Sequence, residues 1–195
     1  MKKTIIGLTG QSGAGKSTVA FVFENEGFYI IDADKISKEV TSRKEVVSKL
    51  SENFDDILFE DKTLNKRKLA KIVFSDKKEL EKMNNILFPL IEKEIVSIVD
   101  NSKNTYILLD APQLFESGMN IQCDNIVSVV ANKEKLLERI VQRDSITVDE
   151  AKKRLNSQYT REFFEKNSDF VIYNNSGVKD LIDKTQRVIT SIKAN

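Results

Sequence analysis

The chain has 195 residues, 40% of them hydrophobic, which is enough for one sizeable core with room for an insertion. Its 31 basic and 30 acidic residues leave a formal charge of +1, and that balance argues against a polyelectrolyte surface and hence against a nucleic-acid partner. One cysteine, Cys123, excludes an intrachain disulfide and fits a cytoplasmic protein, while the absence of histidine leaves acid–base chemistry to Asp, Glu, Lys or Tyr.

The first apolar run, Thr4–Thr9, predicts a strand buried on both faces. It opens the longest charge-free stretch, the 12 residues Thr4 to Gly15. That stretch is too short to span a bilayer and lacks a signal-peptide cleavage site, so no membrane association is expected. A helix over Ser17–Glu26 follows, then a strand at Phe28–Ile31 and a single helix over Ala33–Leu50. The Lys-, Glu- and Leu-rich segment beyond it reads as a helical insertion that includes a helix over Asp76–Val99. Strands are expected again at Tyr106–Leu109, Asn125–Val130 and Phe170–Tyr173, with helices over Lys133–Arg143 and Val178–Ile192. Strands alternating with helices predict an α/β fold, a parallel five-stranded sheet sandwiched by helices. No Gly/Ser linker divides the chain, so one folded unit with appended helical parts is expected.

Gly10-Gln11-Ser12-Gly13-Ala14-Gly15-Lys16-Ser17 fits G-x-x-x-x-G-K-[ST], between a strand and an apolar helix, and the expected nucleotide loop runs on to Thr18. Glycines let successive N–H groups turn inward around a phosphate, and the helix N-terminus adds partial positive charge. Lys16 is expected free at the loop to reach the β- and γ-phosphates, with the Ser17 hydroxyl a ligand for Mg²⁺. The competing reading is a glycine-rich turn with an incidental lysine. A GTPase would carry N-K-x-D, whereas Asn132-Lys133-Glu134-Lys135 lacks the aspartate. Small size, the insertion and a late arginine cluster favour a small-molecule kinase.

Asp32 and Asp34 follow the second strand, where ligands sit in parallel sheets. Either can take the proton of an acceptor hydroxyl, and either can simply cap the next helix. Asp110, at the end of the third strand, is placed to help hold Mg²⁺ through water, with capping again the alternative. Four of the seven arginines, Arg139, Arg143, Arg154 and Arg161, fall close together. Their planar forks suit phosphate on a mobile lid, with pairing to Glu138, Glu150 or Asp144 expected for at least one.

These residues together resemble the dephospho-CoA kinases. The similar segments are L-T-G-Q-S-G-A-G-K-S-T (8–18), I-D-A-D (31–34), T-L-N-K-R-K-L (63–69), F-P-L-I (88–91), D-A-P-Q-L-F-E-S-G (110–118), Q-R-D (142–144) and the closing run from Gln158 to Gly177, which contains D-F-V-I-Y-N-N-S-G (169–177). The resemblance implies transfer of a phosphoryl group from ATP, with Mg²⁺, to the ribose 3′-hydroxyl of dephospho-CoA. It implies Asp34 as the base beside Asp32, Lys16 and Arg143 as catalytic groups, and Arg139, Asn174, Asn175 and Gly177 on the ATP side. Leu64, Arg67, Pro89, Pro112, Leu114, Phe115 and Glu116 match acceptor-side positions. It also implies a core of about 1–34, 101–134 and 166–195, a CoA-side helical part at 35–100 and a lid at 135–165, in a monomer or weak homo-oligomer. The sequence departs from the family pattern at Phe88, Gln113 and Phe164. Two other readings stay open: another small P-loop kinase acting on a nucleoside, nucleotide or sugar acid, and a nucleotide-dependent switch.

Overall fold

A computed structural model describes residues 3–194. Five strands form one sheet: β1 (Thr4–Gly10), β2 (Tyr29–Asp32), β3 (Tyr106–Asp110), β4 (Asn125–Val130) and β5 (Phe170–Tyr173), in the order β2-β3-β1-β4-β5. The strands are parallel and flanked by helices, as the alternation predicts. In register, Leu8 of β1 lies opposite Asp110 of β3, and Gly10 lies opposite Val129 of β4. That register brings the ends of β1, β3 and β4 to one edge of the sheet.

Two compact units emerge, one of residues 1–31 and 103–195 and one of residues 32–102. In the first, helices α1 (Lys16–Asn25), α6 (Lys133–Asp144), α7 (Val148–Asn156), α8 (Arg161–Asn167) and α9 (Val178–Ala194) cover the sheet. Ile6, Leu8, Val127, Val129 and Ile172 of the strands pack with Phe23, Leu136, Ile140, Leu181 and Ile189 of the helices in one core. Full burial of each such side chain stabilises the fold by roughly 1.5–3 kcal/mol. Ala151 and Leu155 of α7 belong to the same core, so α7 is anchored rather than free.

The second unit holds α2 (Ala33–Thr41), α3 (Lys44–Ser51), α4 (Lys66–Ser75) and α5 (Lys77–Asn101), with α2, α3 and α4 each packed on α5. One helix over Ala33–Leu50 is not what forms. The Thr41 and Ser42 hydroxyls bond back to the carbonyls of Ser37 (2.6 Å) and Lys38 (2.7 Å), and Arg43 turns extended at φ −69°, ψ 137°. Hydroxyl side chains that compete for backbone groups end helices in this way. Arg43 then pairs with Glu94 of α5 at 2.7 Å. α4 lies inside the expected helical insertion without having been bounded there, and α7 and α8 have no separate counterpart in the predicted elements; each is 10 residues or fewer, and α7 and α8 are mostly charged. Among the described residues no helix is long and apolar enough to cross a membrane.

Candidate active site

The turn from β1 into α1 can be built only with glycine at two places. Gly10 has φ 142°, and a Cβ there would lie 2.2 Å from the Val129 carbonyl oxygen. Gly15, the N-cap of α1, has φ 99°, and a Cβ there would lie 2.5 Å from Asn174 Nδ2. No side chain caps α1, and while the Thr18 N–H bonds the Gly15 carbonyl at 3.1 Å, the amides of Lys16 and Ser17 remain available at its positive end. That is a site for an anion.

The Lys16 ammonium is not free at the loop. It pairs with Asp110, and the two side chains are 18% and 19% exposed. The reason lies in the register: Asp110 ends the strand beside β1, within reach of a side chain rooted at the start of α1. The Ser17 hydroxyl is exposed and makes no hydrogen bond among the described residues.

The loop is braced from two directions. Asn174, just beyond β5, is buried and donates from Nδ2 to the Ala14 carbonyl at 2.7 Å. Arg139 of α6 donates to the Gly13 carbonyl at 3.3 Å and to the Asn174 carbonyl at 3.2 Å. Between the two held carbonyls, the Ala14 N–H closes a turn onto the Gln11 carbonyl at 3.1 Å, so this part of the loop is fixed on both sides. At Ser12, Gln158 accepts from the backbone N–H at 3.0 Å and donates from Nε2 to the hydroxyl at 2.9 Å. Asn175 accepts from the Asn132 N–H at 2.8 Å and so ties the segment after β5 to the turn before α6. Gly177 is exposed just before α9.

Of the four clustered arginines only Arg139 touches the loop. Arg143 is exposed and grips Asp144 with both branches, Nε at 2.7 Å and Nη2 at 2.9 Å. Arg154 of α7 pairs with the same carboxylate. The Arg143 guanidinium, with Arg154 behind it, lowers the Asp144 pKa to about 2. Arg161 pairs with Glu165 at 2.7 Å and lies over the Tyr173 ring at 5.0 Å. The expected pairing, to Glu138, Glu150 or Asp144 for at least one of the four, therefore holds for two, both on Asp144, while Arg161 meets Glu165 one helical turn on.

Beside the loop lies a cavity of about 550 Å³ whose walls include Gln11, Asn132, Lys133, Gln158, Tyr159 and Arg161. Next to it, Tyr159 stacks on Phe163 with ring centroids 3.8 Å apart, and Phe115 meets Phe163 edge-on at 5.1 Å. Phe164 closes this aromatic group and is 3% exposed, so its departure from the family pattern is a packing choice. Phe115 thus joins the segment after β3 to α8. In that same segment the Pro112 carbonyl accepts from the Thr9 hydroxyl at 3.2 Å, and Leu114 is fully buried. Glu116 shows surface to solvent, yet desolvation by its neighbours raises its pKa above the usual carboxylate value.

In the helical unit, Asp32 takes the capping role: its Oδ1 accepts from the Lys35 N–H at 2.9 Å, leaving its second oxygen unspent. Asp34, in the first turn of α2, is exposed and makes no hydrogen bond or ion pair among the described residues. Leu64 bridges to Leu58 and helps line a cavity of about 750 Å³ together with Val47, Lys44, Lys62 and Lys66. Arg67, in the first turn of α4, and Pro89, within α5, are exposed.

Among the described residues no cluster of three or more acidic or thiol groups forms a metal cage. Magnesium is commonly held by one or two protein oxygens completed by substrate phosphates, and the Ser17 hydroxyl and Asp110 carboxylate are hard oxygen donors of that kind. Sequence patterns missed Gln158, Tyr159 and Asn132. Gln158 opens a segment with family likeness, but nothing in its spacing points to Ser12, 146 residues away.

The family model for dephospho-CoA kinase matches residues 4–180. The dephospho-CoA kinase of Fusobacterium nucleatum subsp. nucleatum is 38% identical over 193 residues, covering 98% of this chain and all of the relative. The solved structure of dephospho-CoA kinase from Campylobacter jejuni has a TM-score of 0.63 at 28% identity, covering 97% of both chains. A structure from Thermus thermophilus shares the fold with a TM-score of 0.88 at 24% identity, covering 98% of both chains.

Proposed function

This chain belongs to the dephospho-CoA kinase family and carries out ATP-dependent phosphorylation of dephospho-CoA in coenzyme A biosynthesis, and we propose how its residues divide that work. The reading rests on one observation above the others: a glycine loop at the uncapped N-terminus of α1, braced from behind by Asn174 and Arg139. ATP rests its phosphates on the loop from Gly10 to Thr18, where the N–H groups of Gly13, Gly15, Lys16 and Ser17 make no hydrogen bond among the described residues. Lys16 exchanges Asp110 for the β- and γ-phosphates. Ser17 and Asp110 are the oxygen donors that would hold Mg²⁺, which would supply charge to offset that spread over the transferring group.

The acceptor's 3′-oxygen attacks the γ-phosphorus, the bond to the β–γ bridging oxygen breaks, and the 3′-hydroxyl proton passes to Asp34. An exposed carboxylate with no competing partner is free to take it. Asp32 shapes the start of α2 and offers its second oxygen to the acceptor. In the helical unit, Leu64, Arg67 and Pro89 are assigned to the acceptor; in the sheet unit, Pro112, Phe115 and Glu116 are, with Leu114 of the same segment buried in the core. Within residues 135–165, the expected lid, Leu136, Ile140, Ala151 and Leu155 stay anchored in the core, and the movement assigned to it is local: Arg143 releases Asp144 to meet a phosphate, its bidentate fork suiting either anion. The enzyme works in the cytoplasm as a monomer or weak homo-oligomer.

An ATP-consumption screen with dephospho-CoA, adenosine, nucleoside monophosphates and gluconate tests the reading. Stoichiometric turnover with dephospho-CoA alone is expected. Turnover with another acceptor, and none with dephospho-CoA, would overturn it.

A further inference from the structure

Among the described residues, Gln158 forms the one side-chain hydrogen-bond bridge between the segment after α7 and the phosphate loop, and it makes two bonds to a single residue. The orientation of its amide follows from chemistry. The Ser12 backbone N–H can only donate, so the atom facing it at 3.0 Å is Oε1, which places Nε2 on the Ser12 hydroxyl at 2.9 Å. Because the hydroxyl oxygen accepts from Nε2–H, its own proton is left to donate elsewhere. Gln158 therefore fixes both the backbone and the side chain of Ser12, in the middle of the loop that holds ATP. Its support is rigid: Ala151 and Leu155 anchor α7 in the core, and the Gln158 N–H donates to the Leu155 carbonyl at 3.2 Å.

We propose that Gln158 is a positioning residue for phosphoryl transfer, acting through Ser12 rather than by touching a substrate; the proposal rests on the kinase reading above. Rate depends on donors that are already aimed when the transition state forms, and a misplacement of about 1 Å can cost on the order of 10²-fold. Without the clamp, the Ser12 hydroxyl loses its fixed aim and the loop backbone loses its tether at Ser12. The Asn174 and Arg139 braces, which act on Gly13 and Ala14, stay in place.

A double-mutant cycle reads this directly. Wild type, Gln158→Ala, Ser12→Ala and the double variant are compared for kcat, for KM of ATP and for melting temperature, with Gln158→Met as the shape-keeping variant should Gln158→Ala fold poorly. The expected result is a fall in kcat of about tenfold or more for loss of Gln158, a smaller change in KM and a nearly unchanged melting temperature. The double variant should be no slower than the slower single variant. Unchanged kcat in a folded Gln158 variant would overturn the proposal, as would a double variant whose loss is the product of the two single losses. Wild-type turnover with dephospho-CoA is the separate control for the kinase reading. Should that control fail, the same cycle is read from ATP affinity, where additive losses would still overturn the clamp.

Discussion

Around the phosphate loop, Asn174, Arg139 and Gln158 each spend their polar atoms on loop backbone or on Ser12, and Lys16 is paired with Asp110. In the Asp32–Ser102 unit the groups assigned to the acceptor are held differently: Asp34 and Arg67 are exposed at the starts of their helices, and only Asp32 is committed to a cap. The contrast reflects two kinds of task. A triphosphate has a fixed shape and dense charge, so donors organised in advance hold it without reordering. A base must keep its lone pairs free until a hydroxyl arrives, and a carboxylate already bonded to the protein would be a poorer one.

The largest expected effect tests the organised side. Lys16→Ala removes charge from the transferring phosphoryl group and should slow turnover on the order of 10³-fold or more, measured by coupled ATP consumption. It also leaves the Asp110 carboxylate without this partner, so a small fall in melting temperature should accompany it. Near-normal turnover would mean that the loop does not carry the phosphates.

On the uncommitted side, Asp34→Asn keeps the shape and loses the basicity. A fall in kcat of about 10²–10⁴-fold is expected, with the melting temperature unchanged because the carboxylate makes no contact to lose. If Asp32→Asn lost turnover instead, the roles of the two aspartates would be reversed.

Arg143 tests the boundary between the two styles, because it is bonded to a partner that it must leave. Arg143→Lys keeps the charge and loses the fork that now grips Asp144. Turnover should fall about tenfold, equivalent to roughly 1.4 kcal/mol at the transition state. Unchanged kcat would reduce the pair to a surface ion pair, which contributes under ~1 kcal/mol.

The smallest effect is on stability against acid. The Arg143 guanidinium, then Arg154, holds the folded Asp144 pKa at about 2, below its unfolded value. A depressed carboxylate pKa gives stability that is fully present above the unfolded value and is lost as pH falls toward 2. Melting curves of wild type and Asp144→Asn should therefore converge between about pH 4 and pH 2. A constant difference across that window would show that the ionised carboxylate contributes nothing.

The sheet was legible because buried parallel strands announce themselves: all five apolar runs became strands within a residue of their expected bounds. The short helices were not. α7 and α8 carry few apolar residues, and they depend on Ala151, Leu155 and Phe164 finding a core supplied by distant segments. At the site, the loop could be read because its chemistry is local. A glycine, a lysine and a hydroxyl at fixed spacing specify a phosphate cradle with no knowledge of the fold. What braces that loop could not be read, since Asn174 lies 160 residues from Ala14 and Gln158 lies 146 from Ser12. Arg139 and Arg143 are four residues apart on α6, a spacing that shares one helix face, yet one grips the loop and the other grips Asp144. A periodic pattern gives direction around a helix; it does not say what stands opposite at each turn.

The most direct test is the affinity of Asp34→Asn for ATP, measured by titration calorimetry beside its kcat. If phosphate binding belongs to the braced loop and proton removal to the exposed carboxylate, ATP should bind within about twofold of wild type while turnover falls at least 10²-fold. An ATP affinity that fell tenfold or more alongside kcat would contradict that division.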